Sequence, residues 1–223
     1  MVKKSFRIKS SMGGVYSTYF MRTLHSSPYE GERQGVRVIN LFSMEEYMTE
    51  IGIIVGSDSD LPELKGCFQT LDDFNVSYDV KAYSAHRTPH LVAEWVVQFE
   101  KDGGRVIIAA AGGAAHLPGV VASHTVLPVI GIPIGTSIAG GLDSLLSIVQ
   151  MPTGIPVATV ATGKAGATNA ALLAIAILST SNPDYSTKLK NYRITMQKTI
   201  TRKNETLTKQ GIYEYIKNLE AQK

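Results

Sequence analysis

A histidine stands beside an arginine in the run Tyr83-Ser84-Ala85-His86-Arg87-Thr88-Pro89. Imidazole changes charge near neutral pH and can pass a proton. A guanidinium forks onto a phosphate or carboxylate. The run follows an apolar strand pattern and precedes a proline suited to the first turn of a helix. Open α/β sheets place their ligands in strand-to-helix loops of this kind. A single histidine is more often structural than catalytic. Here, however, Arg87 is one of only six Lys/Arg in residues 38–180, and an acidic stretch that keeps a cation at a strand end has a use for it. The pair therefore suggests proton transfer on an anionic small molecule.

Three further loops have suitable composition. Gly56-Ser57-Asp58-Ser59-Asp60 opens a helix, and its hydroxyls and amides could meet an anion. Its acids repel phosphate, so Asp60 suits a ribose hydroxyl; a helix cap at Ser59 or Asp60 is the plainer reading. Gly112-Gly113-Ala114-Ala115-His116-Leu117-Pro118-Gly119 is made of small residues that let backbone amides approach a ligand. His116 stands at a helix start, where the dipole disfavours an imidazolium and a neutral ring could accept a proton. Gly163-Lys164-Ala165-Gly166-Ala167-Thr168-Asn169 could add backbone donors, with Lys164 as a solvated cap. His90 and His124 read as surface or packing residues.

The elements that must carry these loops alternate. Strands are expected at Ile51–Val55, Val76–Tyr83, Val106–Ala111, Val129–Ile134 and Pro156–Val160. Helices are expected at Leu61–Phe74, with Leu64, Phe68 and Leu71 on one face, and at Pro89–Glu100, with Leu91, Trp95, Val96 and Phe99 inward. Others fall at Leu117–Thr125, Gly141–Gln150 and Ala165–Leu178. The alternation predicts an α/β fold: a three-layer αβα sandwich with a flavodoxin- or Rossmann-like parallel sheet and a C-terminal helix. Ala165–Leu178 is apolar nearly all round, which points to deep burial or to another subunit; in a chain this small the second is favoured, and an oligomer is expected. Beyond it, Leu189, Tyr192 and Met196 keep a helical stripe that predicts docking on a neighbouring surface.

Composition sets the limits. With 44% hydrophobic and 18% charged residues, the 223-residue chain reads as one globular domain with tails. No run reaches the roughly 18 apolar residues of a membrane helix. Cys67 is the single cysteine, so an intrachain disulfide and a thiolate metal cluster are excluded and a reducing compartment is expected. The net charge of +3 hides a division: residues 1–37 and 181–223 each carry +5, and 38–180 carries −7. A nucleic-acid surface in the folded core is therefore unexpected. The histidines form no metal-ligand spacing. The chain also lacks a Walker loop, spaced dinucleotide glycines and a Gly-x-Ser-x-Gly elbow. Residues 1–48 are expected to be an extension outside the functional fold, with organelle targeting by residues 1–43 the less favoured reading. Residues 49–180 are expected to form the catalytic domain and 181–223 a basic helical tail.

Four motifs together carry a resemblance. Gly56-Ser57-x-Ser59-Asp60, Ser84-Ala85-His86-Arg87-Thr88-Pro89, Gly112 to Gly119 and Asp143-Ser144-Leu145-Leu146-Ser147-Ile148-Val149-Gln150-Met151-Pro152 occur in the order and spacing of the PurE, or AIR carboxylase, family. The chain resembles that family from about Gly52 to Leu178. Arg87 and the intact Gly-Gly-Ala-Ala-His-Leu-Pro-Gly loop resemble the mutase branch, not the branch that carboxylates aminoimidazole ribonucleotide with free carbon dioxide. The resemblance implies a mutase of purine synthesis, active in the cytoplasm as a homo-octamer on a ribonucleotide substrate, without ATP, metal or organic cofactor. It implies His86 as proton shuttle, with His116 also catalytic. Ser57, Asp60, Arg87, Ser84, Gly113, Ala114, Ala115 and Leu117 would bind substrate. The alternatives are the free-carbon-dioxide carboxylase and a non-catalytic nucleotide-binding homologue. The chain departs from the family pattern at Ile134–Gly141, where a Gln-Ser pair usually begins the stretch. It also departs at Asp58, where Lys or a small polar residue is common, and at Leu61, where Trp is frequent.

Overall fold

The computed structural model describes residues 49–221, so the expected N-terminal extension lies outside the described residues. Five strands form the sheet: β1 (Ile51–Val55), β2 (Tyr78–Ala82), β3 (Val106–Ala111), β4 (Val129–Pro133) and β5 (Ala158–Thr159). All are parallel, in the order β2-β1-β3-β4-β5. β1, β3 and β4 are buried at every position, which is why they read as unbroken apolar runs. A 3₁₀ helix (Asp58–Leu64) leads into α1 (Lys65–Phe74), followed by α2 (Pro89–Lys101), α3 (Leu117–Ser123), α4 (Leu142–Val149), α5 (Gly163–Leu178), α6 (Pro183–Gln210) and α7 (Ile212–Glu220).

Each face of the sheet has its own core. On one face Leu64, Leu71, Ala171, Ile175 and Tyr185 close over Ile53, Ile108 and Ile130. On the other, Val92, Val96, Leu117, Val121 and Ile148 close over Ile54, Ile107 and Ala109. Burying each such Ile, Leu or Val contributes about 1.5–3 kcal/mol relative to leaving it in water. The three expected layers are present, and the register aligns three loops. Val55 pairs with Ala82 on one side and with Ala110 on the other, so the chain leaves β1, β2 and β3 at one level.

Several elements differ from the sequence reading for local reasons. The helix expected from Leu61 begins as a 3₁₀ turn around Pro62 and becomes an α-helix only at Lys65. A proline lacks the N–H that an α-helix interior requires. β5 pairs over two residues, not five, at the sheet edge. In α2 the buried residues are Val92, Val96 and Phe99; Leu91 and Trp95 are half-buried at its flank. Trp95 stacks on Phe99 at 5.4 Å and lies over β1, where a Cβ on Gly52 would come within 2.8 Å of its ring.

Much of the apolar α5 is buried within the single chain. Ala167, Ala170, Ala171, Ala174, Ile175 and Leu178 are buried, and its remaining apolar flank packs against the same core. Leu172, Leu173 and Ile177 on that flank are only partly buried. α6 covers it through Tyr185, Leu189 and Tyr192, and Lys188 donates from Nζ to the Phe74 carbonyl at 2.5 Å. The expected docking of the last helix thus occurs on the chain's own core, while Met196 is 53% exposed. Among the described residues no helix is long and apolar enough to cross a membrane.

Candidate active site

The loops after β1, β2 and β3 emerge side by side at the carboxyl ends of their strands. In the loop after β2, Ser84 does the local work. Its Oγ accepts from the amides of His86 (3.3 Å) and Arg87 (3.2 Å). Thr88 closes the turn: its Oγ1 accepts from the Ser84 amide at 2.9 Å and donates to the Ser84 carbonyl at 3.2 Å. Thr88 was not among the expected site residues. The signal for it is a hydroxyl four positions after Ser84 and immediately before Pro89, which restricts its backbone.

This turn presents His86 and Arg87 on the exposed side. Arg87 reaches β1, donating from Nη2 to the Gly56 carbonyl at 3.1 Å. His86 reaches across β1 to the loop after β3, where its Nε2 lies 2.8 Å from Nδ1 of His116. One ring must donate and the other accept, so the two nitrogens share a hydrogen. The rings meet edge to face at 5.0 Å between centroids. The two catalytic candidates, 30 residues apart, are therefore one hydrogen-bonded unit with two outer nitrogens still available for a substrate.

The loop after β3 is a tight turn. The Ala115 amide donates to the Gly112 carbonyl at 3.1 Å, with Gly113 at φ 63° and Ala115 at φ 46°. A Cβ on Gly113 would meet nothing within 4 Å, so backbone there stands open. Ala114 is exposed as well. Ala115 and Leu117, at 4% and 2% exposure, point into the core, which leaves only their backbone for ligand contact. His116 occupies the N-cap of α3, as its place before Leu117-Pro118 suggested.

At the first loop the cap is Ser57, not Ser59 or Asp60. Its Oγ accepts from the Ser59 amide at 3.3 Å. Asp60 is thereby free of capping duty. Burial pushes its carboxyl above the ordinary 3.8; the Ser59 hydroxyl opposes this, and neighbouring Asp58 adds to it. Because folding raises this pKa, ionised Asp60 opposes folding. The cost is absent below about the ordinary value, where folded and unfolded states are both protonated, and is complete above the folded value. D60N is expected to raise the urea midpoint at pH 7 and to leave it unchanged near pH 3. The same variant should weaken nucleotide binding if Asp60 holds a ribose hydroxyl.

The atypical Ile134–Gly141 stretch borders the turn, since a Cβ on Gly112 would come within 3.4 Å of Ile134 and 3.6 Å of Thr136. The fourth motif holds it. Fully buried Ser144 donates to the carbonyls of Ile134 (2.6 Å) and Gly141 (3.0 Å), and Thr136 donates to Asp143 at 2.6 Å. S144A would leave these carbonyls without that donor, and is expected to cost about 1–3 kcal/mol in urea unfolding. Residues 163–169 pack beside the elements that follow β1: Thr168 faces Gly66 of α1, and Gly163 lies near Glu63 of the 3₁₀ helix. Lys164, His90 and His124 are exposed, and no interaction joins them to the three-loop cluster.

A family model described as AIR carboxylase matches residues 50–199, two thirds of the chain. The chain belongs to the AIR carboxylase family. Its N5-carboxyaminoimidazole ribonucleotide mutase relative from Pyrococcus abyssi is 58% identical over 151 residues, covering 68% of this chain and 86% of the relative. The chloroplastic phosphoribosylaminoimidazole carboxylase of Vigna aconitifolia is 48% identical over 170 residues, which is 76% of this chain but 30% of that longer protein. Among solved structures, PurE of Treponema denticola superposes with a TM-score of 0.65 at 28% identity, over 70% of this chain and 97% of its own. In this AIR carboxylase family member, the family match runs past α5 and beyond the midpoint of α6.

Proposed function

We propose that this chain is an N5-carboxyaminoimidazole ribonucleotide mutase of purine biosynthesis, an isomerase that moves a carboxylate from the exocyclic nitrogen to the ring carbon. The observation that carries the reading is the hydrogen-bonded His86–His116 pair, next to Arg87 and the open turn at Gly113. Arg87, Ser57 and the amides of Gly113, Ala114, His116 and Leu117 hold the phosphate and carboxylate of the ribonucleotide, the Ala115 amide being engaged with Gly112, and Asp60 takes a ribose hydroxyl. His86 gives a proton to the exocyclic nitrogen as the carbon–nitrogen bond of the carbamate breaks and carbon dioxide departs. The nucleophilic ring carbon attacks the trapped carbon dioxide, and His86 takes the proton that this carbon loses. The histidine ends in its starting state, so the step needs no other acid or base. His116 holds the imidazole in place through the shared hydrogen. Keeping carbon dioxide beside the ring carbon replaces a bimolecular encounter with an intramolecular one.

Two parts of the reading concern the setting. His86, Arg87 and His116 are all exposed in one chain, which suits a homo-octamer whose other copies enclose the site. Cys67 is a free, buried thiol pushed up to about 12 by burial, which suits the cytoplasm. The decisive experiment gives purified protein the carbamate nucleotide without ATP and, separately, aminoimidazole ribonucleotide with bicarbonate. Rapid isomerisation of the first is expected. Turnover of only the second would assign the carboxylase reaction, and turnover of neither by folded protein would leave a nucleotide-binding homologue.

A further inference from the structure

The turn that carries His116 is bare on one side and backed on the other. On the bare side, a Cβ at Gly113 would meet nothing within 4 Å. On the backed side, a Cβ at Gly112 would come within 3.4 Å of the Ile134 Cβ and 3.6 Å of the Thr136 methyl. Ile134 continues the sheet ladder, its amide donating to the Ala111 carbonyl at 2.9 Å. Thr136 lies beyond that ladder, in irregular chain between β4 and α4. What fixes it there is its own side chain.

Two bonds decide which face of Thr136 meets the turn. Its Oγ1 donates to Oδ1 of Asp143 at 2.6 Å and accepts from the Ile138 amide at 3.3 Å. With the hydroxyl committed on that side, the methyl is left toward Gly112. Asp143 is half-buried in the first turn of α4. Among the described residues no cation pairs with its carboxylate, so its bond to Thr136 has no competing ion pair.

The chain between Thr136 and Asp143 is held in an uncommon backbone. Ala139, Gly140 and Gly141 follow one another at φ 45°, 67° and 100°. A left-handed alanine persists only where its surroundings impose it, and such positions gather at functional sites. Here the Gly141 amide donates to the Ile138 carbonyl at 3.0 Å, and Ser144 holds the carbonyls of Ile134 and Gly141. A loop fixed this firmly can brace what it touches.

We propose that Thr136 is a positioning residue for the nucleotide. Anchored by Asp143, its methyl braces Gly112 and keeps the amides of Gly113, Ala114 and His116 converged on one anion. Preorganised donors bind an anion well only while they converge, so a small shift of the turn weakens several at once. Thr136 acts through Gly112, not by touching the ligand. This role rests on the reading of that turn as the nucleotide's amide cradle.

Full-length variants test it through kcat and KM for the carbamate nucleotide without ATP, beside the urea midpoint. T136S keeps the bond to Asp143 and removes only the methyl. Its KM is expected to rise about tenfold, the size of one weakened hydrogen bond to a charged group. Its kcat should change by less than about twofold, as for binding lost equally from ground and transition states. D143A should raise KM likewise by releasing the hydroxyl. D143N should restore it, because an asparagine Oδ1 still accepts from Thr136. A lower urea midpoint in T136S and D143A with KM unchanged would mean a structural role alone and overturns the proposal. A D143N variant whose KM matches that of D143A also overturns it, assigning the effect to the carboxylate's charge. Failure of the underlying reading looks different: the unaltered chain then neither turns over the carbamate nucleotide nor binds aminoimidazole ribonucleotide in titration calorimetry, and the role of Thr136 falls with it. Unchanged KM in T136S and D143A, with turnover lost in H86N, removes the role of Thr136 alone.

Discussion

Replacing His86 with asparagine is expected to lower turnover of the carbamate nucleotide by about 10²–10⁴-fold, the usual contribution of a positioned acid or base. The substitution is chosen for its shape. An asparagine amide reaches only as far as the ring's Nδ1, so the Nε2 that meets Nδ1 of His116 at 2.8 Å is removed together with the exchangeable proton, in a smaller polar side chain that the exposed site accepts. His86 is exposed and its backbone is held by Ser84, not by its own ring, so folding should be unaffected. The loss should appear in kcat with little change in KM, because the interaction removed belongs to the transition state. H116N should cost less, since an asparagine amide can stand where Nδ1 of His116 met His86 and the shuttle itself is left. Full turnover by folded H86N protein, measured without ATP, would sink the assignment. Equal losses in H86N and H116N would show that the two rings act as one acid–base unit.

The histidine pair shows where sequence reading succeeds and where it stops. Both rings could be chosen from their loops, because each follows an apolar run and precedes a helix start. Their contact could not be chosen, because it depends on strand order. Only with β2 and β3 on either side of β1, and with Val55 level with Ala82 and Ala110, do residues 30 apart meet. The same ordering gives Arg87 the Gly56 carbonyl, which no spacing rule anticipates. Buried strands were readable because their apolar runs are unbroken. β5 was overread because an edge strand can pair briefly inside a longer apolar stretch. Ser57 lost its capping role to its neighbours in the sequence reading because three adjacent side chains there can all cap. Only the backbone angles decide among them: Ser57 alone is extended ahead of the first turn. The α5 helix misled in another way. Its all-round apolar composition was assigned to another subunit, whereas part of that surface is covered by α6 of the same chain through Leu189 and Tyr192, the stripe the sequence already displayed.

G166A is expected to lower stability by about 3 kcal/mol, at the upper end of the cost of an overpacked site. Helix propensity alone predicts the opposite sign: Gly166 lies within α5 at a helical backbone conformation, where alanine is favoured by about 1 kcal/mol. The steric term decides. A Cβ at Gly166 would stand 1.6 Å from the Ala161 carbonyl oxygen and 2.6 Å from its carbon, backbone atoms that no rotamer change can remove. The segment 161–162 would have to lift from the helix, and it is not free to do so cheaply. Val160 donates its amide to the Gly131 carbonyl at 3.1 Å, and Thr162 packs where a Cβ on Gly141 would come within 2.8 Å. Gly141 in turn is tied to Ser144, the residue that holds the stretch beside the Gly112 turn. A shift begun at Gly166 therefore travels toward the substrate pocket, and KM should rise in G166A although residue 166 touches no part of the three-loop cluster. The urea midpoint should fall with an unchanged slope, as for a loss of stability without a change in exposed surface. The exposed neighbour supplies the control: A165G should cost about 1 kcal/mol through propensity alone and leave KM as it was. A midpoint that rises in G166A would mean that propensity governs this turn and that the approach of Ala161 is not what the glycine is there to permit.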